Sequence, residues 1–128
     1  MIYLPDINVW IALVPDRHIH HEEAKGWFDR VASNNVGFCR ITEIGFLRLL
    51  TNRQVMKEDT STPMEAWQIY DALRLDPRVI FLDEIAGVGA AWRKKSESAI
   101  GGPNTWTDMY LAAFATAHEA TLVTFDQR

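Results

Sequence analysis

The stretch NTWTDMYLAAFATAHEATLVTFDQR, Asn104 to Arg128, decides how the rest of the chain is read. Thr105 to Asp108 has the composition of a helix start, with hydroxyl residues suited to capping and an acid in the first turn. Counted from Asp108, Leu111, Ala112 and Ala115 stand at i+3, i+4 and i+7, which is one face of a helix. Asp108 therefore shares the face that the helix buries, where a merely solvated carboxylate would not be placed. After Glu119 and Ala120 the residues change to a β-type run, Thr121 to Phe125, expected to be a buried strand that ends on Asp126. One acid on the inward face of a helix and another closing a strand point to a shared site.

The chain begins with the same sequence of elements. Met1 to Leu4 is a short apolar run broken by Pro5, and Asp6-Ile7-Asn8 follows at once. Ile7, Trp10, Ile11 and Val14 then keep helical spacing up to Pro15. A lone Asp after a strand is also an ordinary helix cap, so Asp6 alone decides nothing. A second helix within Asp16 to Ser33 turns Ala24, Trp27, Phe28 and Val31 inward, and His18, His20 and His21 precede it. With no paired Cys or carboxylate pattern, these histidines read as a solvated helix start rather than a zinc site.

Asn34-Asn35 signals a turn before a short buried strand, Val36 to Arg40. In the next helix, Thr42 to Thr51, Glu43 heads the stripe Phe46, Leu47 and Leu50. The helix dipole accounts for an acid at that end, but not for its place on the inward face. Asn52 to Ser61 is polar and reads as a loop. Thr62-Pro63-Met64-Glu65 combines a capping box with Pro at the first helical position. The helix it opens runs to about Leu75, burying Ala66, Trp67, Tyr70 and Leu73, and Asp76-Pro77 ends it. Val79 to Leu82 is a strand, and a helix follows from Asp83-Glu84 with Ile85, Val88 and Trp92 inward.

Short strands near 1–4, 36–40, 79–82 and 121–125 thus alternate with helices, which argues for a parallel sheet covered on both faces. Such sheets bind ligands at the carboxyl ends of their strands. Asp6 and Asp126 each follow a strand, while Glu43 and Asp108 each sit in the first turn of a helix that enters the same rim. Any one of these has a bland explanation; four on one edge do not. Four clustered acids repel unless a cation holds them, and hard oxygen donors fit Mg²⁺ or Mn²⁺ rather than zinc. That chemistry suits metal-assisted hydrolysis of a phosphodiester.

The bulk properties narrow the possibilities. A length of 128 residues makes one domain, 1–128, large enough to bury a core. The 48% hydrophobic and 23% charged fractions are those of a soluble globular protein. A net charge of −4 excludes a generic polyanion binder, so nucleic acid would need a local basic rim. Arg40 and Arg48 are its candidates, with Arg53, Arg93, Lys94 and Lys95 behind them, although each also reads as part of a solvated face. No apolar run approaches membrane-spanning length and no basic-then-apolar leader is present, so the expected place is the cytoplasm, away from any membrane. The single cysteine, Cys39, forbids an intrachain disulfide and reads as a small core residue.

The order Asp6-x-Asn8, Thr42-Glu43, Thr107-Asp108 followed by Leu111-Ala112-Ala113, and Thr124-x-Asp126 resembles a PIN domain. It is most similar to the VapC-type toxins of bacterial toxin–antitoxin pairs. The likeness spans nearly the whole chain, including the segments CRITEIGFLRLLT and LVTFD. It implies a PIN-like three-layer α/β/α sandwich around a central, mostly parallel sheet of four or five short strands. It also implies a Mg²⁺-dependent endoribonuclease acting on RNA, a homodimer, and inhibition by a small cognate antitoxin. Carried over by position, Asp6, Glu43, Asp108 and Asp126 form the acidic site, with Asp6, Asp108 and Asp126 as metal ligands. Asn8 and Thr124 become hydrogen-bonding supports. One departure is that family members continue past the last Asp with a further short segment, whereas two residues follow here, which leaves Asp126 less firmly held.

Other doubly wound folds fit less well. A receiver domain wants an adjacent acidic pair early and a lysine after the last strand, and a haloacid-dehalogenase-like phosphatase wants Asp where Asn8 stands. A non-catalytic or regulatory metal-binding α/β domain stays open as the alternative.

Overall fold

The apolar runs pair side by side as β1 (Ile2–Pro5), β2 (Val36–Phe38), β3 (Val79–Phe81) and β4 (Ala120–Val123). The structure is a computed structural model that describes residues 1–14, 20–33 and 35–125. Asp126 lies outside the described residues, as does His18. Among the described residues the strands form one sheet in the order β3-β2-β1-β4, and every pairing is parallel. Tyr3 stands opposite Val36, Val36 opposite Val79, and Ile2 to Pro5 run beside Ala120 to Val123. The chain steps outward from β1 to β2 to β3 and then crosses back to β4 on the far side of β1. The strand order therefore reverses beside the carboxyl end of β1, the place where sheets of this type bind ligands.

Successive strand residues point to opposite faces, and this alternation builds two cores. On one face, Val36, Phe38 and Val79 pack with residues of α1 (Ile7–Ala12), α2 (His21–Asp29), α3 (Arg40–Leu50), α4 (Arg53–Met56) and α5 (Pro63–Leu75). Its centre is the fully buried pair Trp10 and Phe38, stacked with ring centroids 3.7 Å apart, and Phe46 and Tyr70 meet Phe38 edge-on. On the other face, Leu4, Cys39 and Leu82 pack with α6 (Val88–Glu97) and α7 (Thr105–Ala117). Gly37 points to this second face, where a Cβ would come within 2.6 Å of the Leu82 side chain. The result is the expected three-layer α/β/α arrangement with four short strands.

Several local readings are corrected. The segment 52–61 is not a loop: it holds α4 and a turn of 3₁₀ helix, Lys57–Asp59. Asn52 caps α4 through a 2.9 Å bond from the Gln54 N–H, and the buried Met56 anchors it, so one apolar side chain orders a polar stretch. The helix expected from Asp83 starts at Val88 behind Gly87, whose φ of +96° interrupts helical geometry, and Ile85 is exposed. Trp67 is also exposed, resting edge-on against Tyr70 instead of entering the core. β2 ends at Phe38 because α3 already begins at Arg40; Cys39, fully buried, is the N-cap residue. β4 is not a buried strand. Among the described residues it pairs with β1 alone, and Leu122 faces outward.

Candidate active site

At the carboxyl end of β1 the chain turns directly into α1, and Asp6 is the cap between them. The Val9 N–H donates to Asp6 Oδ1 at 3.2 Å, which fixes one carboxylate oxygen at the helix start. The Thr124 hydroxyl donates to Asp6 Oδ2 at 2.5 Å, and the Asp6 N–H donates to the Val123 carbonyl at 2.9 Å. The cap geometry leaves Asp6 at the carboxyl end of β1, with its second carboxylate oxygen held by Thr124. The residues after β4 hold the carboxylate that follows β1.

Asp108 arrives from the other layer. Its N–H donates to the Asn104 carbonyl at 2.9 Å at the start of α7, and Leu111 and Ala115 on its face are buried as the spacing requires. Asp6 and Asp108 are both half-buried and line one cleft of about 530 Å³. Asn8, Asn104, Thr107 and Arg48 line it too, and Ile7, Ile41 and Leu111 supply apolar wall. Gly45 forms part of that wall because a Cβ there would sit 2.1 Å from Ile7 Cδ1.

Glu43 is placed differently. Its carboxylate is buried on α3 and ion-paired with Arg40 one turn away, and it is not among the cleft-lining residues. It also accepts from Tyr70, whose hydroxyl is pushed up to about 12, first by burial and then by the bond to Glu43. Arg74 Nη1 donates to the same Tyr70 oxygen at 3.0 Å, and the guanidinium groups of Arg40 and Arg74 both lie over the Phe81 ring. Glu43 thus sits in a polar chain, Arg40–Glu43–Tyr70–Arg74, that joins α3 to α5 and packs over Phe81 of β3. Thr42, beside it, caps α3: the Cys39 N–H donates to the Thr42 hydroxyl oxygen at 3.0 Å.

The structure brings Asp6, Asn8, Asp108 and Arg48 to one cleft and ties Thr124 to Asp6. It places Glu43 and Arg40 outside that lining. The histidines form no centre of their own among the described residues: His20 pairs with Glu23, and His21 Nδ1 contacts the Ala12 carbonyl oxygen at 2.7 Å, linking α2 to α1. Sequence reasoning missed Asn104 as a lining residue, although its place just before the Thr105 helix start was visible. The wall made by Ile41 and Gly45 carries no such signal.

The cleft's donors are carboxylate, amide and hydroxyl oxygens, with no His or Cys, which fits Mg²⁺ or Mn²⁺ and not zinc. Among the described residues no three His, Cys, Asp or Glu side chains are close enough to hold an ion together. Mg²⁺ tolerates this, since it keeps several waters and is often bound by one or two carboxylates plus substrate phosphate. Among the described residues, no helix is long and apolar enough to cross a membrane.

A doubly wound α/β protein with acids at the switch point of its sheet is the class that fold and cleft define. The family model for the PIN domain matches residues 3–128. Ribonuclease VapC41 of Mycobacterium tuberculosis is 40% identical over 128 residues, covering 96% of this chain and 88% of that protein. Two solved structures share the fold. Mycobacterium tuberculosis VapC20, described as a sarcin-ricin loop cleaving toxin, superposes with a TM-score of 0.66 at 19% identity, covering 97% of this chain and 89% of its own. VapBC2 from Rickettsia felis, bound to a DNA fragment from its promoter, gives a TM-score of 0.65 at 16% identity, covering 98% and 89%. The chain belongs to the PIN domain family, among its VapC ribonucleases.

Proposed function

We propose that this chain is a divalent-metal-dependent endoribonuclease and the toxin of a toxin–antitoxin pair. The observation that carries this reading is the meeting of Asp6 and Asp108, from different layers, in one oxygen-lined cleft at the switch point of the sheet. A cation held by these two carboxylates supplies positive charge at the scissile phosphate and lowers the pKa of a water. Asp6 is kept oriented by Thr124 and by the Val9 N–H, so little rearrangement is needed to bind. Asn8 and Arg48 line the cleft, Asn8 as a hydrogen-bonding support and Arg48 as a guanidinium for the phosphate chain in this reading. The resemblance adds Glu43 and Asp126 to the acidic set, and Asp126 is two residues beyond the Thr124 that already holds Asp6.

The test is cleavage of end-labelled single-stranded RNA in Mg²⁺, in Mn²⁺ and in EDTA. Hydrolysis by water leaves a 5′-phosphate and a 3′-hydroxyl, because the substrate's 2′-hydroxyl is not the nucleophile. Full activity in EDTA, or a 2′,3′-cyclic phosphate product, would overturn the mechanism.

The partners follow from the same reading. A small antitoxin covers the acidic cleft, and an arginine from it is the natural plug because its fork meets two carboxylates. A second copy of the chain is the other partner. Exposed Ile44, Met64 and Trp67 on α3 and α5 are the kind of surface that supports a protein interface. Mg²⁺ is the metal that the oxygen donors favour, and RNA as substrate puts the activity in the cytoplasm.

A further inference from the structure

A second cleft, of about 450 Å³, opens at the same carboxyl edge of the sheet, beyond β3. Its size lies within the ordinary range for small-molecule sites, about 300–1,000 Å³. Phe81, Trp92 and Tyr110 give it aromatic walls, Asp83 and Glu84 bring carboxylates, and Arg40 stands at one side. Ile41 lines both this cleft and the acidic one, so the two share a wall.

Several of its polar groups are held in place by neighbours. Tyr110 donates to Glu84 Oε1 at 2.6 Å. Burial and the Glu84 carboxylate raise the Tyr110 pKa far above the ordinary range, so this hydroxyl stays a donor. Trp92 meets Tyr110 edge-on with centroids 5.7 Å apart, and its indole N–H donates to the Trp106 carbonyl at 2.8 Å. Asp83 and Glu84 precede α6 but do not cap it; Gly87 occupies the N-cap. Both acids are exposed, with the Asp83 backbone carbonyl bonded to His118 Nε2 at 2.8 Å.

We propose that this cleft is a base-recognition subsite, taking a guanine next to the phosphate that sits between Asp6 and Asp108. The proposal rests on the ribonuclease reading above. Single-stranded RNA is recognised by splaying bases onto aromatic side chains and bonding their Watson–Crick edges. Guanine alone presents two neighbouring N–H donors on that edge, N1–H and the N2 amino group. Carboxylates accept both, whereas uracil, with a single imino N–H between two carbonyls, would meet them with its acceptors. Ile41 lines both clefts, so a base in this one would neighbour a phosphate in the acidic one.

The experiment is cleavage of an RNA pool with randomised sequence, followed by sequencing of the product ends, for wild type, Asp83→Asn/Glu84→Gln and Trp92→Phe. The expected result is guanine enriched at one fixed position beside the cut, with the guanine-to-adenine preference falling about tenfold in the double variant. A second arm needs no turnover: 5′-GMP, titrated in EDTA, should quench Trp fluorescence saturably in wild type, less in Trp92→Phe, and 5′-UMP should not. Cleavage without base preference, or with a preference that both variants retain, would sink the subsite and leave the ribonuclease reading standing. No cleavage of the pool by wild type would remove both.

Discussion

Asp6 does two jobs with its two oxygens: Oδ1 caps α1 and Oδ2 is held by Thr124. Asp6→Asn can still accept the capping bond but loses the charge, so cleavage should fall by more than about a hundredfold while the melting temperature holds. Asp108→Asn should lower cleavage likewise, and its backbone bond to Asn104 at the start of α7 does not involve the side chain. Thr124→Ala removes that support and should cost about 10–100-fold in activity or metal affinity. Steady-state cleavage assays with melting scans alongside separate these cases. Glu43→Gln is expected to act on Tyr70 first: without the carboxylate beside it, that hydroxyl should titrate below its present value of about 12. An ultraviolet titration of the variant reads this directly. Asp6 and Asp108 were legible in the sequence because strand ends and helical spacing fix where their backbones go. The inward face of Glu43 was legible too. Which neighbour it meets there was not, because that face of α3 looks toward both the cleft and α5, and Tyr70 is distant in sequence.

At the scale of elements, Arg78 ties the start of β3 to the end of α2. It makes paired bonds to Asp76 at 3.0 and 2.8 Å, donates to the Phe28 carbonyl at 2.9 Å, and lies over the Phe28 ring at 3.9 Å. Nothing in the local pattern around Asp76-Pro77 announces it, since its partners on α2 are far away in sequence. Arg78→Ala should cost about 1–3 kcal/mol in urea unfolding, and Arg78→Lys nearly as much, because lysine cannot reproduce the fork. The hydrogen bonds from Arg78 hold the Asp76 carboxyl below its ordinary range. A depressed folded-state pKa contributes stability above the unfolded value, and that contribution is lost as pH falls through the folded one. Wild type should therefore lose this stability on acidification below about pH 4, and Arg78→Ala should show a shallower loss over the same window. Gly45 presents a different kind of contact. Alanine there gains about 1 kcal/mol of helix propensity, but its Cβ would overlap two atoms of Ile7, at 2.1 and 2.8 Å. Overpacking of that sort costs about 1–3 kcal/mol, so Gly45→Ala should be net destabilising and should narrow the acidic cleft. The α4 segment and the late start of α6 were hidden for a common reason. One buried Met56 and one left-handed Gly87 decide them, and neither produces a period.

For the whole molecule, alternating strands and helices were enough to predict a parallel sheet with two covered faces. The exposure of β4 was not predictable that way, because an apolar run of four or five residues does not say which neighbours it has. The apolar side chains left outside, Trp67 and Met64 among them, bear on assembly. Light scattering should give twice the chain mass for wild type, and Trp67→Glu should shift it toward a single chain if α5 forms the contact. Among the described residues β4 is hydrogen-bonded to β1 alone, and the Thr124 that follows it steadies Asp6 from there. Edge elements with exposed faces open locally at lower free energy than the core. On warming, β4 should therefore detach first, letting go of the Asp6 carboxylate while both cores are intact. Such a nuclease would have a thermal fuse: cleavage would switch off several degrees below the loss of near-ultraviolet dichroism, and cooling would restore it.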